Sequence, residues 1–208
     1  NGRSRGLGDV YKRQEINSGI QFYDGITTAE IQEILIKSAS DLIELESPNY
    51  QFVAARLLLF GVRKKLWGRI HEAPSLGNHI TKCIREGVYD PHFTSKYTDQ
   101  EIDELDSYID HDRDYLFTYA GLRQVTDKYL VQDRSTGDLY ETPQFMYIMI
   151  AATMFSEYPQ ETRLDYVKRY YDAISRHRIN IPTPVMGGVR TPIRQFASCV
   201  LVDIDDTL

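Results

Sequence analysis

Residues 142–155, which read TPQFMYIMIAATMF, carry the clearest fold signal in this chain of 208 residues. Thr142 followed by Pro143 is typical of a helix start, because the first turn of a helix needs no hydrogen bond from the proline nitrogen. After this start, apolar side chains recur near one face of a helix, at Phe145, Ile148, Met149, Ala152 and Phe155. The stretch is therefore predicted to form an apolar helix.

Two capping boxes predict further helices. In a capping box, a threonine and a glutamate three residues later each accept a hydrogen bond from a backbone N–H group at the helix start. Thr27 with Glu30 and Thr98 with Glu101 both have this spacing. Helices should therefore begin just after Thr27 and just after Thr98.

Proline, glycine and charge indicate other helix boundaries. Ser47 and Pro48 are expected to open a helix that ends in the basic residues 63–65, where positive charge suits the helix dipole. A third helix is predicted around residues 80–84, stopping near Gly87, and the last one over residues 161–174.

A β-hairpin interrupts this helical pattern. Residues 129–132 and 139–140 flank a turn of Ser135, Gly137 and Asp138, which is typical of a hairpin. Because helix signals cover most of the remaining chain, the fold class is predicted to be mainly α.

Composition restricts the classes of function. The net charge of −6 argues against a broad nucleic-acid-binding surface, and no apolar run approaches the roughly 18 residues that a membrane span needs. Two cysteines, Cys83 and Cys199, do not form a disulfide framework. We therefore expect a cytoplasmic globular protein that binds neither nucleic acid nor a membrane.

The C-terminal region changes character. Residues 183–192 combine prolines with Gly187 and Gly188, which predicts an irregular loop whose backbone N–H groups suit an anion or a ribose. Cys199 then opens the run Cys-Val-Leu-Val, which is typical of a buried strand. A cysteine in such a setting is more often an inert core thiol than a reactive one.

The chain from about Glu15 to Leu208 resembles the large subunits of class I ribonucleotide reductases. The resemblance is strongest in residues 182–208, PTPVMGGVRTPIRQFASCVLVDIDDTL. It extends over many shorter matches in the same order: residues 20–26, 54–57, 111–114, 119–120, 128–132, 155–156, 158–159, 161–163 and 166–169.

The resemblance implies a division into domains. Residues 1–14 are predicted to be a leader that is not native, residues 15–90 a partial ATP-cone, and residues 91–181 the helical N-terminal domain. Residues 182–208 would be the start of the catalytic α/β barrel, with its first strand at Cys199.

The resemblance also implies the site residues. Cys199 matches one member of the redox cysteine pair that reduces the ribose 2′ position and ends as a disulfide. Thr183 and Ser198, with Cys199, match positions that bind the ribonucleoside diphosphate. Residues that match the nucleotide sites are Asp206, Thr207 and Leu208 for the deoxynucleotide effector, and Thr28 and Lys64 for ATP or dATP.

Cofactors and partners follow from the same resemblance. No metal or cofactor is expected to bind this chain directly, apart from the nucleotide effectors. A small (beta) subunit that contains a metal would supply the radical, a second large subunit would complete a homodimer, and thioredoxin or glutaredoxin would reset the disulfide. The second redox cysteine and the radical-carrying cysteine are absent from the sequence, so this chain alone is predicted to be inactive.

One alternative is a phosphatase of the haloacid-dehalogenase type. Residues 200–208, VLVDIDDTL, fit its first motif, in which Asp203 would attack phosphorus, Asp205 would act as acid and base, and Mg²⁺ would lie between them. The match covers nine residues and explains none of the preceding chain.

A second alternative is a non-catalytic helical module that senses nucleotides or binds a partner. It predicts a complete fold up to about Ile174. The cluster from His111 to Asp114 could suggest a metal or kinase-like site, but a solvated or ion-paired turn is the simpler interpretation.

Overall fold

The structure is a computed structural model, and it describes residues 22–202. Most of this part of the chain is helical. The helices are α1 (Thr28–Asp41), α2 (Tyr50–Trp67), α3 (Leu76–Arg85), α4 (Asp99–Tyr108), α5 (Tyr119–Lys128), α6 (Pro143–Met154), α7 (Gln160–Ser175) and α8 (Thr183–Gly188). Short 3₁₀ segments cover Pro91–Ser95 and His111–Leu116. The mainly α prediction is therefore confirmed.

The predicted hairpin also forms, with β1 (Gln132–Asp133) antiparallel to β2 (Asp138–Leu139). Gln132 faces Leu139, and Asp133 faces Asp138. Gly137 has a φ of 74°, a left-handed conformation that glycine adopts without strain, and this closes the turn.

Both capping boxes exist. The Thr27 hydroxyl accepts a hydrogen bond from the Glu30 amide at 3.2 Å, and the Glu30 carboxylate accepts one from the Thr27 amide at 2.8 Å. Thr98 and Glu101 repeat the pattern at 3.3 and 2.9 Å. Because both reciprocal bonds form, α1 and α4 begin where the sequence predicts.

Three predictions about local structure were wrong. Helix α2 begins at Tyr50 with Asn49 as its N-cap, because Ser47 and Pro48 form a preceding turn. Residues 183–188 form α8 instead of an irregular loop, since Pro184 fits the first helical turn. Residues 199–202 form no strand in the structure, and their apolar side chains are exposed.

The chain divides into two compact units, which we describe separately. Of the described residues, unit 1 comprises 22–73 and 111–127, and unit 2 comprises 74–110 and 128–202. These units group residues by spatial contact, and the domain boundaries inferred from the family resemblance stay a prediction. The proposed leader, residues 1–14, lies outside the described residues.

Unit 1 is built on the packing of α1 against α2. Its core contains Ala39, Tyr50, Val53 and Ala54, all less than 5% exposed. A buried ion pair joins Arg63 to Asp114 at 3.0 Å. The His111–Leu116 segment is thus held by an ion pair, in agreement with the simpler interpretation of this cluster.

Unit 2 is centred on α6. Every residue from Pro143 to Ala152 is buried, so the helix is covered on all sides, as expected for an apolar helix in the middle of a core. Helix α7 packs along α6, α3 packs against α4, and α8 also contacts α6. No helix in the described part of the chain has both the length and the apolar character for crossing a membrane.

Candidate functional site

The three residues that resemble substrate-binding positions all lie in unit 2. Thr183 is the first residue of α8, and its hydroxyl is 3.2 Å from the Tyr129 hydroxyl. Ser198 and Cys199 follow in an exposed segment that has no regular structure. In residues 22–202, no hydrogen bond joins Thr183 to Ser198 or Cys199.

Cys199 is a free and exposed thiol. Its sulfur lies 3.8 Å from the Ser198 hydroxyl, which donates a weak hydrogen bond to it. An exposed thiol is open to a disulfide partner or an external dithiol, as redox chemistry requires. The expectation of a thiol buried in a strand is not met here.

Cys83 is the opposite case, a free thiol that is fully buried on α3. Burial chiefly, and the nearby Glu141 carboxylate to a smaller extent, raise the pKa of the Cys83 thiol to about 12. The sulfur is 3.7 Å from His79 Nε2 and 3.9 Å from the Tyr140 carbonyl oxygen. Because thiolates are the reactive form, Cys83 has the properties of an inert core cysteine.

A buried ion pair between Arg190 and Glu141 lies next to α8. Both side chains are fully buried, and Arg190 Nε donates to the two Glu141 oxygens at 3.1 and 2.9 Å. Burial alone would lower the pKa of Arg190, but the Glu141 carboxylate outweighs this effect and the pKa is raised. The Arg190 guanidinium therefore keeps its charge although it is buried.

A second ion pair holds the residues that follow. Arg194 donates to Asp90 at 2.5 Å, and the Asp90 amide donates to the Arg190 carbonyl at 3.0 Å. Partial burial alone would raise the pKa of Asp90, but hydrogen bonds from His92 and Arg194 lower it. The carboxylate is thus charged at neutral pH, and the chain is attached on both sides of Thr191.

The two ATP-site candidates lie in unit 1. Thr28 is the exposed first residue of α1, and Lys64 is exposed in the last turn of α2. A cavity of about 350 Å³ opens beside α2, lined by Val53, Arg56, Leu57, Phe60 and Tyr115. Phe60 and Lys64 are four residues apart, so they share one face of the helix.

The remaining candidates cannot be placed. Asp206, Thr207 and Leu208 lie outside the described residues, as do Asp203 and Asp205 of the phosphatase alternative. Among residues 22–202, no group of three histidine, cysteine or acidic side chains is arranged to hold a metal ion.

Comparison with known proteins gives a consistent result. A family model described as "Ribonucleotide reductase, all-alpha domain" matches residues 115–194. Over 206 residues, 99% of this chain, the sequence is 53% identical to the ribonucleoside-diphosphate reductase 1 subunit alpha of Salmonella typhimurium and 52% identical to that of Escherichia coli. The chain belongs to the ribonucleotide reductase alpha-subunit family.

The reductase family match also extends to more distant sources. The corresponding subunit of Enterobacteria phage T4 is 46% identical over 196 residues, 93% of this chain. The chain spans about 27% of the length of its Salmonella and Escherichia relatives. The phosphatase alternative has no support, since these matches account for nearly the whole chain.

The reasoning from sequence missed the Arg190–Glu141 pair. The two residues are 49 positions apart, and no periodicity links them. A weak signal was present, because Arg190 is an isolated charge in a segment rich in proline and glycine, and Glu141 directly precedes the apolar α6.

Proposed function

We propose that this chain is part of a ribonucleoside-diphosphate reductase alpha subunit, which converts ribonucleoside diphosphates to deoxyribonucleoside diphosphates. The observation that carries the proposal is the 53% identity over nearly the whole chain to a subunit of that name. The free and exposed Cys199 supports it, because the redox role requires an accessible thiol.

In the proposed reaction, two thiols of a cysteine pair are oxidised to a disulfide. The ribose 2′ hydroxyl leaves as water and a hydrogen replaces it, so the two electrons and two protons of the thiols balance the reduction. Cys199 would supply one thiol. Cys83 is unsuited as the other, because it is buried and its thiol has a pKa of about 12.

The other site assignments form part of the same proposal. Thr183 and Ser198 would bind the substrate through their hydroxyl groups, which suit phosphate or ribose oxygens. Residues 206–208 would begin the site for the deoxynucleotide effector. No metal is assigned to this chain. A small beta subunit would supply the radical, a second alpha subunit the homodimer, and thioredoxin or glutaredoxin the electrons, in the reducing cytoplasm.

A chimera tests this function. The aligned region of the Salmonella alpha subunit is replaced by this chain, and reduction of cytidine diphosphate is measured with the beta subunit and thioredoxin. We expect activity from the chimera, complete loss with Cys199→Ser and no loss with the matched control Cys83→Ala. An active Cys199→Ser chimera would refute the assigned role.

ATP binding by the N-terminal residues is a separate part of the proposal. Lys64 would contact a phosphate group, and a hydrogen bond to a charged group contributes about 1.5–3 kcal/mol. We expect Lys64→Ala to weaken the binding of a fluorescent ATP analogue roughly tenfold or more. Lys37→Ala is the control, since Lys37 is exposed on the neighbouring helix α1. Equal effects of the two substitutions would contradict the assignment of Lys64.

A further inference from the structure

The Arg190–Glu141 pair makes more contacts than an ion pair requires. Arg190 Nη1 donates to the Met186 carbonyl at 2.6 Å, and Nη2 donates to the Tyr129 carbonyl at 2.8 Å. Glu141 in turn accepts from the Val131 amide at 2.7 Å. The guanidinium therefore joins α8, the segment before the hairpin and the start of α6.

These contacts surround the candidate substrate residue Thr183. Tyr129 accepts from Arg190 through its carbonyl group and contacts the Thr183 hydroxyl through its own hydroxyl at 3.2 Å. Met186, three residues after Thr183, is bound by the same guanidinium. Arg190 thus binds Tyr129 directly, and through Met186 it binds the short helix α8 on which Thr183 lies.

Glu141 is itself held in place by a buried network of polar side chains. The Tyr89 hydroxyl donates to Glu141, and His79 Nε2 lies 3.0 Å from the Tyr89 hydroxyl. The His79 ring stacks on Phe145 of α6, with 4.1 Å between the ring centroids. Because every side chain of this network is buried, the Glu141 carboxylate has little freedom to move.

The segment beyond Arg190 is anchored close to α8. The Thr191 hydroxyl donates to the Gly188 carbonyl at 2.8 Å. The Phe196 ring packs over Gly188, where a β-carbon would lie 3.5 Å from the ring. The chain therefore returns to α8 three residues before Cys199.

We propose that Arg190 and Glu141 are positioning residues for the substrate-binding segment. Their ion pair fixes the position of α8 and therefore of Thr183. The same ion pair fixes the point from which the segment with Ser198 and Cys199 extends. This inference rests on the proposed function, because the roles of those three residues do.

The chain offers a matched comparison for the pair. Arg163 and Glu101 form another buried, two-pronged ion pair in unit 2, with bonds of 2.8 and 2.5 Å. The Arg163 guanidinium lies over the Tyr97 ring, and Glu101 caps α4. The hydrogen bonds and ion pairs of these two side chains involve no residue between 183 and 199. A purely structural role predicts the same consequences for both pairs.

Hydrogen exchange of the 208-residue chain tests the anchoring. We expect Arg190→Lys to raise the exchange rate of the α8 amides about tenfold, because lysine cannot reach all three acceptors, whereas Arg163→Lys leaves them unchanged. Tyr89→Phe is a milder variant that removes one hydrogen bond to Glu141 and keeps the pair, should Arg190→Lys fail to fold. It should raise the same rates by a smaller factor. Unchanged α8 exchange in a folded variant would overturn the proposal.

Steady-state kinetics of the chimera test the link to substrate. We expect Arg190→Lys and Tyr89→Phe to raise the KM for cytidine diphosphate, by about tenfold for Arg190→Lys, with a smaller change in kcat, while Arg163→Lys alters neither. An active chimera whose KM is the same in all variants would overturn the positioning role and leave the proposed function intact. An inactive parent chimera would refute the proposed function, and the substrate part of this inference with it.

Discussion

The two cysteines should differ greatly in their reaction with a thiol reagent. An aromatic disulfide reagent is added to the folded chain at pH 8. Each cysteine that reacts releases a coloured aromatic thiol, and the absorbance of this thiol measures the rate. Cys199 is exposed and Cys83 is buried. We expect Cys199 to react quickly, and Cys83 to react only when the structure around α3 opens.

The size of the difference follows from the thiolate fraction. A thiol with the reference pKa of about 8.5 is roughly one-quarter thiolate at pH 8. With a pKa of about 12, Cys83 is thiolate in only about one molecule in 10,000. Ionisation alone thus slows Cys83 by a factor of roughly 10³ relative to a reference thiol, and burial slows it further.

Single substitutions assign the two phases. Cys199→Ser should remove the fast phase, and Cys83→Ala should leave it unchanged. In denaturant, the unsubstituted chain should show two fast thiols. Two fast thiols in the folded chain, or a fast phase that survives Cys199→Ser, would refute the assignment of Cys199 as the accessible thiol.

Two further predictions concern the ion pairs. Asp114→Asn leaves the buried Arg63 guanidinium without its counter-ion and should lower the free energy of unfolding by about 3–5 kcal/mol in a urea titration. The exposed control Glu72→Gln should cost less than about 1 kcal/mol, so equal losses would contradict the reasoning. Hydrogen bonds from Arg163 are the chief cause that lowers the pKa of Glu101 in the folded chain. The Glu101 carboxylate therefore contributes its full stabilisation above the usual glutamate pKa of 4.5. This stabilisation is lost as the pH falls through the lowered pKa of the folded state. Between pH 7 and pH 3, Glu101→Gln should therefore lose less stability than the unsubstituted chain, and parallel losses would contradict this.

The parts of the fold that depend on residues close together in the sequence were predictable from the sequence. The capping box of Thr27 and Glu30 uses atoms three residues apart, so the sequence contains the whole interaction. The same holds for the turn at Gly137 and for Pro143 in the first turn of α6. Helix α8 escaped prediction because two prolines and two glycines in a short segment favour a loop, whereas its contacts with α6 and Arg190 favour a helix.

The candidate site was less predictable, because its geometry depends on contacts between distant residues. Resemblance to a family proposed Cys199, Thr183 and Ser198 as candidates, but it could not show that the Thr183 hydroxyl lies next to the Tyr129 hydroxyl. Nor could it show that Arg190 is fully buried, since arginine is usually exposed and becomes buried only where a partner compensates its charge. Residues 49 positions apart provide that compensation.

Residues 199–202 show how strongly a strand depends on its partners. Val200, Leu201 and Val202 are 79%, 101% and 74% exposed, although burying one such side chain would contribute about 1.5–3 kcal/mol. Their intrinsic preference favours a strand, but a strand also needs hydrogen-bonded neighbours, because its N–H and C=O groups must be paired once they leave water. In the described chain the paired strands β1 and β2 belong to the hairpin, and their ladder is only two residues long. The preference of residues 199–202 for a strand is therefore not realised in the described part of the chain.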